Sequence, residues 1–203
     1  MKKVKEFDSY LDFEFFFGDI KKKFIGSGGE GEVYETDNNE IVKYMKDSYE
    51  PKYLSESKDI IMADDIELDS FIFPKELYVV NDQIVGYRED YFRGNVINFK
   101  GGNIKDINID ALERARFRMI KDIEVITFKG YKLEELGRNI LFNNKKLCAI
   151  DTLDYVKTRN ASLEGNVRAL DRALALELKS VGGGEFIEQD DSFTMVLRKL
   201  RSK

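Results

Sequence analysis

An α+β chain in two parts, a small β-rich lobe followed by a mainly helical one, is the fold this sequence predicts. Three observations carry it. A glycine-rich run, Gly26-Ser27-Gly28-Gly29-Glu30-Gly31-Glu32-Val33-Tyr34, passes through a polar turn into Glu40-Ile41-Val42-Lys43-Tyr44. Residues 71–80 and 83–89 are β-prone stretches flanking Asn81-Asp82, which reads as an antiparallel hairpin. Beyond Arg93-Gly94 the apolar spacing turns helical.

Residues 1–20 read as a helix or strand packed beside the first lobe. Residues 23–44 read as strand, turn and strand, with Lys43 on the last strand. Tyr53, Leu54, Ile60 and Ile61 predict a short helix within 49–63. With the 71–89 hairpin this makes a sheet of about five strands and one helix. Lys100-Gly101-Gly102-Asn103 marks a loop. Residues 110–127 predict a helix: Asp110 is a cap or first-turn acid, and Leu112, Ala115, Met119, Ile120, Ile123 and Ile126 form its apolar stripe. Asn139-Ile140-Leu141-Phe142 and Leu147-Cys148-Ala149-Ile150 predict a second hairpin around Asn143-Asn144. A helix over 166–181 stops at Gly182-Gly183-Gly184, and a last helix is expected over 193–200. The domain division is 1–91 and 92–203.

Composition excludes several classes. A length of 203 residues suits one domain or two small lobes with a core that needs no staples. The net charge of −5 gives no whole-molecule attraction to nucleic acid or an anionic membrane. The single cysteine, Cys148, excludes an internal disulfide and sits in a stretch that reads as a buried strand. The absence of histidine removes His-based acid–base chemistry and His metal sites, so a metal must take oxygen ligands, which favours Mg²⁺ or Mn²⁺. No run is apolar enough to span a membrane, and the aromatic stretch at 11–17 is too short and acidic for a signal peptide. The expectation is a cytoplasmic protein, with delivery into another cell left open.

Gly26, Gly28 and Gly31 make a G-x-G-x-x-G pattern with two common meanings. A dinucleotide-binding turn opens a helix after the last glycine. Here the glycines lead into β-prone residues, so the glycine-rich hairpin fits better. Glycines let backbone N–H groups approach phosphate oxygens with no Cβ in the way. A lysine on the following strand adds a charge that reaches the α- and β-phosphates.

These parts resemble the protein kinase superfamily over about residues 23–155. The resemblance implies a protein-kinase-like bilobal fold with a small β-rich N-lobe and a reduced, mainly helical C-lobe. It implies ATP as cofactor, with Gly26, Gly28, Gly31 and Val33 covering the nucleotide and Lys43 on its phosphates. It implies Asn139 and Asp151 as ligands of Mg²⁺ or Mn²⁺. Glu89-Asp90-Tyr91-Phe92 resembles the hinge, where the backbone of Asp90 and Phe92 would bind adenine and Glu89 would stand at the gatekeeper position. Glu56, or Asp59 after it, is the candidate partner of Lys43, with a solvated surface acid as the alternative.

The departures from the family pattern are specific. Counting back five from Asn139 lands on Glu134 where the catalytic aspartate belongs, with Glu135 as an alternative. Asp151-Thr152-Leu153 replaces D-F-G, and no A-P-E segment follows. The implied function is a minimal, atypical Ser/Thr protein kinase that binds nucleotide and a protein substrate. The alternatives are a pseudokinase serving as a binding module and a kinase-like enzyme with a non-protein acceptor.

Overall fold

Period-two alternation along one strand organises the first part of the chain. The computed structural model describes residues 3–46, 50–57, 59–96, 106–133, 136–137, 139–180 and 191–202. The chain divides into two units, Met1–Glu67 with Ile72–Tyr91, and Leu68–Phe71 with Phe92–Lys203. The secondary structure is mixed α+β.

In the first unit, strands β1 (Val4–Phe7), β2 (Lys23–Ser27), β3 (Gly31–Glu35), β4 (Glu40–Met45), β5 (Glu76–Val80) and β6 (Gln83–Asp90) form one sheet. Its order is β1-β5-β6-β4-β3-β2. Only the β1–β5 pair is parallel. The β5–β6 turn is Asn81-Asp82, with φ of 48° and 67°. Two consecutive positive φ values are what a two-residue hairpin turn of the right twist requires, and Asn and Asp tolerate them.

Helix α1 (Tyr10–Ile20) is capped by Ser9, whose hydroxyl accepts the Asp12 N–H at 3.2 Å. Its buried side chains, Phe13 and Phe17, are four apart and so share one helix face. They pack on Val42, Tyr78, Val80 and Val85 from the sheet. The Phe13 ring stacks on Tyr44 at 5.6 Å, and Phe17 meets Tyr34 edge-on at 5.4 Å. The residues before position 20 thus supply both a strand and a helix, and β1 makes a sixth strand where about five were expected.

No helix forms among the described residues of 49–63. Tertiary pairing overrides the spacing there. The Leu54 N–H donates to the Asp82 carbonyl at 2.8 Å, and the Ile84 N–H donates to the Lys52 carbonyl at 2.8 Å. Ile60, Ile61 and Met62 are all buried, and three consecutive buried residues do not fit one face of a helix. The strand expected over 71–80 is shorter as well: β5 begins at Glu76, after Pro74.

In the second unit, β7 (Asn95–Val96), β9 (Ile140–Phe142) and β10 (Leu147–Ala149) form a sheet of order β10-β9-β7. β8 (Tyr131–Lys132) pairs with β11 (Val156–Lys157). Ser70 and Phe71 join β10: the Ala149 N–H donates to the Ser70 carbonyl at 2.8 Å. The expected helices form as α2 (Ile109–Phe128), α3 (Leu163–Leu178) and α4 (Phe193–Arg201). Asn108 caps α2, and Asp110 lies in its first turn. α3 starts three residues before Asn166 because Ser162 supplies the cap. Leu112, Ala115, Met119, Ile123 and Ile126 of α2 are buried, as are Leu170, Leu174 and Leu178 of α3 and Val196 of α4. The expected stop at 182–184 lies outside the described residues. Among the described residues no helix is long and apolar enough to cross a membrane.

Phe13 joins α1 to the sheet and is fully buried. Phe13→Ala is expected to lower stability by about 3–5 kcal/mol. A shift in the denaturation midpoint with an unchanged slope would measure it; a loss under about 1 kcal/mol would mean α1 is not part of the core.

Candidate functional site

The first cluster of interest lies wholly within the first unit. β3 and β4 pair so that Val33 stands opposite Lys43, and β4 pairs with β6 so that Lys43 stands opposite Tyr87. Directly paired residues share a face. Val33, Lys43 and Tyr87 therefore line one face, while Tyr34, Val42 and Tyr44 point to α1. Lys43 is only 6% exposed. Its Nζ donates to Glu30 Oε2 at 2.7 Å and lies 5.7 Å from the Tyr87 ring centroid. Glu89, buried at 2% exposure, stands opposite Ile41 two residues along the same face.

The glycines of the run divide by physical role. A Cβ on Gly31 would lie 2.1 Å from the Tyr44 carbonyl oxygen, so the β3–β4 approach requires glycine there. Gly26, Gly28 and Gly29 meet nothing within 4 Å and have no positive φ. Neither packing nor backbone conformation calls for glycine at these three positions. The backbone at these positions is left open. The loop tip is held: the Gly28 N–H donates to the Gly31 carbonyl at 2.9 Å, and Lys46 Nζ donates to the Gly28 carbonyl at 2.9 Å.

Glu56 and Asp59 are exposed. A carboxylate that does meet Lys43 is Glu30, from the glycine run itself. No sequence rule of helix position finds it, because no helix forms among the described residues of 49–63. The signal available was an acid at the tip of the hairpin whose following strands carry the lysine.

Asp90 is the last residue of β6, and its side chain pairs with Lys75 at 2.6 Å. Lys75 also pairs with Glu40 at 3.0 Å, and Glu40 with Arg88 at 2.9 Å. Burial alone would lower the Lys75 ammonium's pKa; the hydrogen bonds to Asp90 and Glu40 outweigh it and raise it. This network fixes the end of β6 through side chains and keeps the Asp90 carboxylate on Lys75. In the second unit the Phe92 carbonyl accepts the Gly94 N–H at 3.0 Å.

The second cluster lies wholly within the second unit. Ile140 pairs with Ala149, and one step beyond, the Ile150 N–H donates to the Asn139 carbonyl at 2.9 Å. Asn139 and Asp151 thus stand at the same end of the β9–β10 hairpin. Asp151 has φ 57° and ψ 52°, the left-handed region. Asn39, Asn81, Asp82 and Asn144 share that conformation, which Asn and Asp adopt more readily than other side-chain-bearing residues. A 3-10 helix, Thr152–Asp154, follows, with Thr152 and Leu153 buried. Next to it the Tyr155 hydroxyl is buried without a hydrogen-bond partner among the described residues. Burial, then Cys148 and Asp151, holds that hydroxyl well above the usual phenol range.

Two oxygen-bearing side chains at one hairpin end fit Mg²⁺, which takes one or two protein ligands and leaves the rest to water and phosphate. Among the described residues no three His, Cys, Asp or Glu side chains gather as a protein-only cage.

Glu134 and Glu135 lie outside the described residues, but the chain on either side is anchored. Asn166 is buried at 1% exposure. Its Oδ1 accepts the Leu133 N–H at 2.9 Å, and its Nδ2 donates to Thr127 Oγ1 at 2.8 Å and the Tyr131 carbonyl at 2.9 Å. On the other side the Asn139 N–H donates to the Leu136 carbonyl at 3.2 Å. The sequence marked Asn166 only as a helix start.

Two outcomes are expected. Gly31→Ala lowers stability by about 1–3 kcal/mol through the clash at Tyr44, while Gly28→Ala leaves it within about 1 kcal/mol. Equal melting temperatures for the two variants would remove the division of roles. Asn166→Ala, which removes three hydrogen bonds made by one buried side chain, costs about 2–4 kcal/mol in chemical denaturation; a neutral variant would mean that the loop is held elsewhere.

No protein-family model matches the chain, and no curated protein matches it.

Proposed function

We propose that the chain is an ATP- and Mg²⁺-dependent phosphotransferase with a protein-kinase-like bilobal fold, acting on protein Ser/Thr. The observation that carries the reading is the buried Lys43 opposite Val33, on a strand next to a hairpin in which Gly26, Gly28 and Gly29 are free of any packing demand. The roles follow from chemistry. The backbone at Gly26 and Gly28 admits phosphate oxygens, and the Lys43 ammonium neutralises their charge. Asn139 and Asp151 hold the metal, which supplies charge neutralisation on the phosphates when bound. The Asp90 and Phe92 backbone binds adenine, and Glu134 orients the acceptor hydroxyl.

Phosphoryl transfer depends mainly on positioning and electrostatics, so a glutamate in place of the aspartate is compatible with turnover. A second reading, a pseudokinase used as a binding module, is favoured by one observation: a carboxylate, Glu30, already engages the Lys43 ammonium.

The test is transfer of label from γ-labelled ATP with Mg²⁺ to the protein itself or a generic protein substrate. Lys43→Met, Asn139→Ala and Asp151→Ala are each expected to lower transfer by about a hundredfold or more. Methionine is chosen at position 43 because the lysine stem is buried. Full activity in all three variants would sink the site assignment. No label, with no melting shift on adding Mg²⁺ and ATP, would favour the binding-module reading.

A further inference from the structure

The carboxylate on Lys43 comes from the loop that the proposed function assigns to the phosphates. Glu30 sits at the tip of the β2–β3 hairpin, between Gly29 and Gly31. Its backbone is fixed over β4: the Lys46 N–H donates to the Glu30 carbonyl at 2.8 Å. Its side chain reaches Lys43 Nζ at 2.7 Å and is 18% exposed, against 8% for the Lys43 side chain. The pair is therefore largely withdrawn from water, where ion pairs are screened least.

We propose that Glu30 is a latch that competes with the nucleotide's phosphates for the Lys43 ammonium. The proposal rests on the nucleotide-binding reading above. A carboxylate and a phosphate are both anionic oxygen acceptors, and each draws its strength from the same ammonium. In the empty protein Glu30 compensates a buried positive charge, which is costly to leave without an anion. When phosphate arrives, the carboxylate becomes a like charge beside it and must swing toward solvent. Nothing else need move, because the loop backbone is held through Lys46 and Gly31. Apparent nucleotide affinity is then reduced by the fraction of molecules in which the latch is closed.

The latch separates two roles that one acid on a helix would combine. An acid that only orients the lysine raises nucleotide affinity and turnover; an acid on the phosphate loop holds the lysine when the site is empty and opposes the ligand when it fills. The sign of the effect on binding tells them apart.

The experiment is calorimetric titration of the full chain with ATP in the presence of Mg²⁺. Glu30→Gln removes the charge and keeps the shape, and Glu30→Ala serves if the glutamine variant fails to fold. Glu14→Gln, on the exposed face of α1, removes the same charge elsewhere and serves as the control. A charge-assisted hydrogen bond of ordinary strength predicts about tenfold tighter binding for the Glu30 variants and no change for the control. A lower melting temperature of the Glu30 variants without nucleotide, with a larger rise on adding it, is the matching thermal signature. Equal affinity in Glu30 variants and wild type, or weaker binding in the variants, overturns the latch and leaves the nucleotide site standing. No binding in any protein, control included, overturns the nucleotide reading and the latch with it.

Discussion

Burying the Lys43 ammonium inside a sheet is the constraint on which the rest of the first unit depends. β4 is buried on both faces, a situation that otherwise selects an unbroken apolar run. Val42 and Tyr44 satisfy one face by meeting the aromatic side chains of α1. On the other face Ile41 and Met45 are apolar and Lys43 is not. A charge placed there needs an anion and close neighbours. Glu30 provides the first, and the Tyr87 ring lends its negative face. The neighbouring backbones crowd the same place. A Cβ on Gly31 would strike the Tyr44 carbonyl, and a Cβ on Gly86 would lie 2.5 Å from the Lys43 carbonyl. The strands on either side of β4 therefore both carry glycine where they pass it.

The second unit solves a different problem, which is how to hold an irregular stretch without regular pairing. Backbone groups that leave helix or strand must find partners when buried. Asn166 supplies three hydrogen bonds from one side chain, spanning the end of α2, β8 and the residue after it. The β8–β11 pair closes the same stretch from the other side. Arg116 holds α3 by two bonds to Asp171, at 2.6 and 2.8 Å, and its guanidinium lies 5.3 Å from the Phe193 ring at the start of α4. Fork-shaped pairs of this kind add geometric definition as well as attraction. The helices are thereby tied to one another.

What was legible in the sequence follows from which interactions are local. The glycine hairpin, the lysine strand and the Asn81-Asp82 turn are written in neighbouring residues, and each forms as read. So do the stripe of α2, with Ile120 only half-buried, and the Asn139–Asp151 hairpin. The residues at 49–63 misled because their spacing admits a helix while their hydrogen bonds go to the β5–β6 hairpin, a partner that local periodicity does not register. Glu30 and Asn166 were passed over for the same reason. One acts across a hairpin and the other across 33 positions of chain. Composition alone has no means of pairing a side chain with a distant backbone.

The segment after Asp151 is held in place by packing. A glycine two places after Asp151 would give that stretch freedom to move. Here Thr152 and Leu153 follow instead, both buried, within a 3-10 helix that Tyr155 closes by donating its N–H to the Thr152 carbonyl at 3.3 Å. Withdrawing a side chain such as Leu153 from its apolar surroundings costs about 1.5–3 kcal/mol. That penalty resists any swing of the segment, and Asp151 keeps its left-handed backbone because its neighbours on both sides are held, Ile150 by Asn139 and Thr152 by burial. In the proposed enzyme the metal ligand is therefore preset, and control by reorienting this segment is the least accessible means of regulation.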